Sequence, residues 1–315
     1  MLNVYSLGAA GLKSIELPSG ARRRDQPIWV DLVDPENDER AEVEALYRQQ
    51  LPETDDVEEI EASARCYQDE TGLHINSLFL HESEGRYRNL SIGFTVSGAR
   101  LFTVREREIP PFRLMRMRAR RNPDVARDCL DIILSVFEIK IEYLADTLED
   151  VYQGLERVSA LVLEDNDSDL EDAIDELGRY EDINGKIRLC LMDTQRSLVF
   201  LLRRGGMSDT QREEARDLLR DIESLIPHNN FLFDKVNFLM DAAQGFISIE
   251  QNQTIKMFSV VAVVFLPPTL IASIYGMNFD VMPELDWPWG YPMALVLMVL
   301  SAIAPFVYFK RKNWL

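Results

Sequence analysis

Two uncharged stretches near the end of the sequence dominate its hydrophobic pattern. Residues 257–275 (MFSVVAVVFLPPTLIASIY) and 291–309 (YPMALVLMVLSAIAPFVYF) each contain 19 residues without a charge. Since an α-helix rises ~1.5 Å per residue, each stretch is long enough to cross the ~30 Å hydrocarbon core of a bilayer. Both follow a long polar region, so we expect neither to be a cleaved signal peptide. The pattern predicts an integral membrane protein with two transmembrane helices.

A heptad pattern of apolar residues precedes these spans and predicts long helices. A second helix, over residues 170–202, should run antiparallel to the helix that carries the heptad pattern. The two would form a hairpin with an acidic tip at residues 164–176. Beyond a glycine-containing break, a third helical pattern runs from residue 209 to residue 275, and Pro227 should kink it. The heptad positions are Leu130, Leu134, Phe137, Ile141, Leu144, Leu148, Val151, Leu155, Val158 and Val162.

The first 120 residues have the pattern of an α+β domain. Runs of β-branched and aromatic residues predict strands at 28–33, 73–82, 89–98 and 100–106, the last two joined by a turn at 97–99. Asp34 followed by Pro35 predicts a helix N-cap with proline at the first helical position. A second, acidic helix is expected at about residues 55–65.

Charge is distributed unevenly along the chain. The formal net charge is −19, which makes a nucleic acid an unlikely partner. Residues 257–315 are balanced, so the excess of acids belongs to residues 1–256. By the positive-inside rule, basic residues at the outer ends of both spans predict cytoplasmic termini. The charged residues of the C-terminal part are the acids Asp280, Glu284 and Asp286 between the spans, and the bases Lys310, Arg311 and Lys312 behind them.

Small and weakly polar residues form one stripe along the first span and the helix before it, at alternating intervals of three and four. Ordinary helix packing explains such a stripe. A ring of identical chains with the stripe turned inward would instead surround a narrow, mostly apolar channel. The stripe consists of Asn252, Ile255, Ser259, Ala262, Leu266, Thr269 and Ser273.

The first span ends in the sequence Tyr-Gly-Met-Asn-Phe. Gly276 permits a sharp exit from the helix, and Asn278 would place a neutral amide oxygen at the channel mouth. Mg²⁺ gives up its water reluctantly, so a ring of neutral acceptors can bind the hydrated ion through that water. The acids of the following loop would concentrate cations. Taken as spacing alone, Gly-x-Asn also fits a simple turn.

Several motifs together resemble the CorA family of magnesium channels, in particular its enterobacterial type. They are YGMNF with its flanks SVVAVVFLPPTLIAS and MPELDWPWGYP, the terminal FKRKNWL, and the runs EIEASAR, LFTVRERE, RLCLMDTQR and KVNFLMDAAQGFISIEQN. The likeness covers essentially the whole chain. Where a related zinc-transporting branch has Gly-Ile-Asn, this chain has Met277, which favours the magnesium interpretation.

The resemblance implies a homopentamer of the bacterial inner membrane that takes up Mg²⁺, and also Co²⁺ and Ni²⁺, under control of cytoplasmic Mg²⁺. Gly276, Met277 and Asn278 would form the selectivity filter and the stripe would line the pore. Asp217 corresponds to a regulatory Mg²⁺ ligand of the family. The implied order is a cytoplasmic α+β domain (1–120), a helical hairpin (121–208), a stalk helix (209–256), a pore-lining span (257–275), an external loop (276–290), a second span (291–309) and a basic tail (310–315).

Other kinds of chemistry find little support in the sequence. It contains no phosphate-binding loop, no nucleophile elbow and no His-Glu-x-x-His run, so we predict neither an enzyme nor a resident cofactor. Cys66, Cys129 and Cys190 have no metal-binding spacing and are expected to be reduced core residues. Two alternatives stay open, a membrane-anchored cytoplasmic regulator and a proton-coupled Zn²⁺ transporter on the same scaffold.

Overall fold

The computed structural model describes residues 1–8, 11–15, 27–51, 65–122, 125–164, 170–278, 282–283 and 287–312. The chain divides into two units, Met1–Leu239 and Met240–Leu315. The strands are β1 (Leu2–Gly8), β2 (Gly11–Ile15), β3 (Trp29–Val33), β4 (Cys66–Gln68), β5 (Leu73–Ser83), β6 (Arg86–Ser97) and β7 (Arg100–Arg105). The helices are α1 (Asn37–Tyr47), α2 (Pro110–Arg121), α3 (Cys129–Glu164), α4 (Leu170–Arg204), α5 (Asp209–Tyr275) and α6 (Gly290–Arg311).

The strands form one mixed sheet in the order β2-β1-β3-β7-β6-β5-β4. Only the β3–β7 pair among the described strands is parallel, with Trp29 opposite Leu101 and Val33 opposite Arg105. The four predicted strands are confirmed, as is the turn between β6 and β7, where Gly98 has a φ of 60°. Strands β1, β2 and β4 were not predicted.

The predicted start of the first helix is wrong. Asp34 does not cap it, because its φ of 44° is left-handed and its N–H donates to the carbonyl oxygen of Arg105 at 2.8 Å. Asp34 thus extends the pairing of β3 with β7. The N-cap is Glu36, which forms a capping box with Glu39. The acidic helix expected at 55–65 lies almost wholly outside the described residues.

The long helices agree with the heptad pattern. Every predicted heptad position of α3, from Leu130 to Val162, is buried. Helix α4 returns along α3, so that the ring of Tyr180 lies over Gly154, and the hairpin is therefore antiparallel as predicted. Part of the acidic tip at 164–176 lies outside the described residues. Helix α2 was not predicted, because its arginine-rich sequence hides the buried residues Phe112 and Met115.

Helix α5 is continuous over 67 residues, as the sequence predicts. It runs through Pro227 without a break in its helical assignment, while the kink itself stays a prediction. Its first part packs within the unit Met1–Leu239. There the side-chain amide of Asn229 donates to the backbone carbonyl oxygen of Asn184 at 2.9 Å, and the side-chain amide of Asn184 donates to the backbone carbonyl oxygen of Asn229 at 3.0 Å. This reciprocal pair fixes the register of α4 against α5.

The three thiols are buried or half-buried and free. Burial raises the pKa of Cys66 and Cys129 to about 11 and that of Cys190 to about 12. Since the thiolate is the reactive form, these side chains are poor nucleophiles and poor metal ligands at neutral pH. The structure supports their interpretation as core residues.

We expect Gly72→Ala to destabilise the sheet by about 2–3 kcal/mol. Gly72 has a φ of 155°, and a Cβ there would overlap the carbonyl oxygen of Val96 on the neighbouring strand, which cannot move aside easily. Gly178→Ala is the matched control, because no atom lies within 4 Å of its added Cβ and alanine favours the helix by ~1 kcal/mol. Thermal unfolding should therefore shift in opposite directions, and a Gly72→Ala variant as stable as the parent would contradict the overlap.

Candidate functional site

The two helices of the unit Met240–Leu315 are each covered along one face. On α5 the less exposed positions recur every three or four residues, and α6 shows the same pattern. Because these helices are the only described elements of the unit, we infer that the two faces cover one another. From residue 256 on, the less exposed positions are Lys256, Val260, Val264, Pro267, Pro268, Ile271 and Tyr275 on α5, and Gly290, Met293, Ala294, Met298, Ser301, Ala302, Pro305 and Phe309 on α6.

The stripe predicted to line a pore lies on the opposite face of α5. All of its members, from Asn252 to Ser273, are exposed, and Leu266 is 65% exposed. At 3.6 residues per turn, the stripe is displaced by about half a turn from the face that contains Val260 and Val264. The structure of one chain thus leaves the stripe free to face other copies or a lumen.

Hydroxyl groups on this stripe are oriented by the helix itself. The hydroxyl of Ser259 donates to the carbonyl oxygen of Ile255 at 2.8 Å, and that of Thr269 donates to the carbonyl oxygen of Phe265 at 2.7 Å. Because each hydroxyl donates its hydrogen to a carbonyl oxygen of the helix, the lone pairs on the hydroxyl oxygen remain available as acceptors. Water molecules around a cation point their hydrogens outward, so such acceptors suit a hydrated ion.

Backbone hydrogen bonds show how α5 ends, while the sharp exit of the chain beyond it stays a prediction. The N–H of Gly276 still donates to the carbonyl oxygen of Ala272 at 3.0 Å, and that of Met277 donates to Ile274 at 3.3 Å. Gly276 does not have a positive φ, so the helix tightens rather than reversing. A Cβ at Gly276 would lie 3.1 Å from the oxygen of Ala272, so a small residue fits best. Asn278 follows, exposed and outside the helix.

The remaining predicted site residues are separated or lie outside the described chain. Asp280, Glu284 and Asp286 are outside the described residues. Lys310 and Arg311 are exposed on the last turn of α6, and Lys312 is its C-cap. Asp217 is exposed on α5 and forms an ion pair with Arg220. In the described part of the chain, no group of three or more His, Cys, Asp or Glu side chains could hold a metal ion.

Sequence reasoning missed a buried polar cluster that fixes the helical hairpin to the sheet. Asp193 of α4 accepts hydrogen bonds from Arg65 at 3.0 Å, from the hydroxyl of Ser77 at 2.8 Å and from the N–H of Leu78 at 2.8 Å. Lys140 of α3 donates to the same hydroxyl at 2.9 Å. These residues are far apart in sequence, so no local pattern could have grouped them.

Comparison with known proteins decides the family. A family model described as CorA-like Mg²⁺ transporter protein matches residues 24–311. The chain belongs to the CorA family. It is 52% identical to the magnesium transport protein CorA of Salmonella typhimurium and 54% identical to that of Escherichia coli K12, with full coverage of this chain and of each relative.

Two solved full-length structures share the fold. The CorA magnesium transporter of Methanocaldococcus jannaschii matches with a TM-score of 0.79 at 20% identity, covering 100% of this chain and 99% of that one. The full-length CmaX protein matches with a TM-score of 0.72 at 13% identity and similar coverage. The predicted architecture of an α+β domain, a long helix and two apolar helices is confirmed. Helices α5 and α6 are both long and apolar enough to cross a membrane.

Proposed function

We propose that this chain forms a magnesium channel that admits Mg²⁺ to the cytoplasm of a bacterium across its inner membrane, and that it also carries Co²⁺ and Ni²⁺. The observation that carries the proposal is the full-length identity of 52% to a magnesium transport protein. The exposed face of α5 supports it, because a conducting stripe must be left uncovered by the chain's own second span.

A pore requires several copies of the chain. Two helices cannot enclose a lumen, whereas five copies with the stripe turned inward form a narrow channel with rings of hydroxyls. In this arrangement Asn278 forms the mouth, with Gly276 and Met277 completing the filter, and both termini are cytoplasmic. A regulatory Mg²⁺ bound at Asp217 would place control on the cytoplasmic side. Nothing in this arrangement requires a cofactor or a catalytic residue.

The membrane potential supplies the driving force. Moving one elementary charge through 100 mV releases ~2.3 kcal/mol, so a divalent cation gains ~4.6 kcal/mol on entry. This gain makes inward flux favourable without nucleotide hydrolysis or a coupled ion. A proton-coupled Zn²⁺ transporter would instead depend on pH.

Purified protein in liposomes tests the proposal. Uptake of Mg²⁺, Co²⁺, Ni²⁺ and Zn²⁺ is measured at fixed membrane potential, with and without a proton gradient, and native mass spectrometry gives the subunit number. We expect Mg²⁺ uptake that follows the potential and a pentamer. Zn²⁺ uptake driven by the proton gradient would favour the zinc alternative, and a monomer or dimer without flux would favour a membrane anchor.

Leu266→Asp should increase ion leak through the closed channel. A ring of leucines repels water, and carboxylates at the same height would hydrate the constriction. Val264→Asp is the matched control, because Val264 lies at nearly the same depth on the face that α6 covers. That change should lower the yield of folded protein without opening the pore. If Leu266→Asp instead lowers the yield and leaves no leak, the stripe faces lipid.

A further inference from the structure

A cleft of about 860 Å³ lies between the turn of the β5–β6 hairpin and the first half of α4, within the unit Met1–Leu239. Its volume is within the range of small-molecule sites. Its lining includes four basic residues, two tyrosines and three acidic residues. These are Arg86, Arg88, Arg179 and Lys186, then Tyr87 and Tyr180, and then Glu84, Glu176 and Asp182.

Three guanidinium groups of this cleft have no partner in the described part of the chain. Lys186 forms an ion pair with Asp182, whereas Arg86, Arg88 and Arg179 form neither an ion pair nor a side-chain hydrogen bond there. The chain has 53 acidic and 34 basic residues, so acidic partners are abundant. These three arginines are exposed residues of one lining, and they suit an anionic ligand because arginine binds phosphate through parallel N–H donors.

The strand beside the cleft contributes a backbone donor. Strand β7 pairs with β6 only from Gly93 to Ser97, so the part of β6 nearer the turn has one free edge. The turn places Ser83 opposite Arg86 as its closing pair, and Tyr87 opposite Glu82 is the next pair. In an antiparallel ribbon the N–H groups of that next pair point outward. The N–H of Tyr87 therefore points away from β5, along the edge that lines the cleft.

The aromatic part of the lining is held in place by its neighbours. The ring of Tyr180 lies over Gly154 of α3, where any Cβ would overlap it. Its hydroxyl donates to Glu176 at 2.9 Å and also interacts with Arg157. The amide of Asn89 donates to the carbonyl oxygen of Lys186 at 3.2 Å, which ties β6 to α4 beside the cleft. The lining is thus built before any ligand arrives.

We propose that this cleft binds a nucleoside polyphosphate. The unpaired arginines and the N–H of Tyr87 match a chain of phosphates, and the fixed ring of Tyr180 offers a face on which a base can stack. Glu84, at the rim, can accept hydrogen bonds from ribose hydroxyls. Inorganic phosphate would use the arginines alone and leave the aromatic part without a role.

Binding of ATP to the full-length protein in detergent tests the arginines. Isothermal titration is carried out with EDTA and with Mg²⁺, and we expect one site per chain. The double variant Arg86→Ala, Arg179→Ala should weaken binding at least tenfold. Arg113→Ala is the matched control, because Arg113 is an exposed, unpaired arginine on α2 outside the cleft, and it should bind as the parent does. Absence of ATP binding by the parent, or equal loss in both variants, would overturn the proposal.

The aromatic part has a separate test. Gly154→Ala displaces the ring of Tyr180 without changing a residue of the lining, and we expect it to weaken ATP binding about threefold or more while inorganic triphosphate binding is unchanged. Gly245→Ala on α5 is the control, since nothing lies within 4 Å of its added Cβ. If the parent binds triphosphate as tightly as ATP, the cleft recognises no base and the nucleoside assignment is wrong. None of these measurements depends on ion transport.

Discussion

Asn278→Ala is expected to abolish Mg²⁺ uptake while leaving the pentamer intact. In the proposed assembly this change removes five symmetry-related amide oxygens from the mouth at once. Each lost hydrogen bond to the ion's water contributes ~1 kcal/mol, so the ring as a whole is sufficient to prevent capture of the hydrated ion. Because Asn278 is exposed and lies beyond the end of α5, it contributes little to packing. Uptake into liposomes and native mass spectrometry measure the two effects separately.

Two further variants sharpen this test. Asn278→Asp keeps the shape and adds up to five negative charges, so ions should bind more tightly and leave more slowly, and mutual repulsion should raise the pKa of some of these carboxyl groups. Gln253→Ala removes an exposed amide from α5 on the face away from the stripe, and its uptake should match the parent. A folded, pentameric Asn278→Ala that transports Mg²⁺ at the parent rate would show that Asn278 is only a turn residue.

The long helices were predictable because their patterns are local and repeat many times. Ten heptad positions of α3 are all buried, and the two uncharged stretches fall in α5 and α6. Strands β3, β5, β6 and β7 were also found from their β-branched and aromatic runs. Where the periodicity was short, the prediction failed. Strands β1 and β2 have few such residues, and β4 has only three residues in all.

Tertiary contacts account for the other errors. Asp34 and Pro35 match a helix start, but the parallel pairing of β3 with β7 extends to Asp34 and shifts the cap to Glu36. In α2, arginines conceal the buried face because Arg116 points to Asp31 of the distant strand β3 and to Glu108 just before the helix. A local sequence pattern does not show which residues of other elements such an arginine will contact.

The candidate site was predictable to the extent that it follows helical spacing. The intervals of three and four from Asn252 to Ser273 give one face, and the structure shows that every position of this face is exposed. Whether that face meets water or lipid depends on other copies of the chain, which a single sequence does not describe. The conformation of Gly276 depends on the helix's final hydrogen bonds, which helical spacing does not specify, and the sharp exit stays a prediction.

Charge burial around Asp193 determines how firmly the hairpin is attached to the sheet. Lys140 is 1% exposed, and burial lowers its pKa, an effect that Asp193 opposes. Its ammonium group also lies 4.3 Å from the centre of the Phe79 ring. Arg65 and Asp193 are nearly as buried as Lys140. The carboxylate of Asp193 therefore offsets the charge of two buried cations, pairing directly with Arg65 and acting on Lys140.

Asp193→Ala should destabilise the unit Met1–Leu239 by about 3–5 kcal/mol, because it removes the carboxylate that offsets the charge of Lys140 and breaks the buried ion pair with Arg65. For a unit of this size, the melting temperature should fall by about 10 °C. Lys140→Met is the matched comparison and should cost ~1 kcal/mol or less, since it replaces a buried charge with a side chain of similar volume between two aromatic rings. Without Asp193 the pKa of Lys140 falls further below its usual ~10.4. At pH values between this lowered pKa and the usual one, Lys140 is neutral in the folded chain and protonated in the unfolded chain. The unfolded chain then binds more protons than the folded one, so the stability of Asp193→Ala should recover in part as the pH is raised from 7 towards 10. Thermal unfolding across this range checks both effects, and equal losses in the two variants would show that packing, not charge, holds the cluster together.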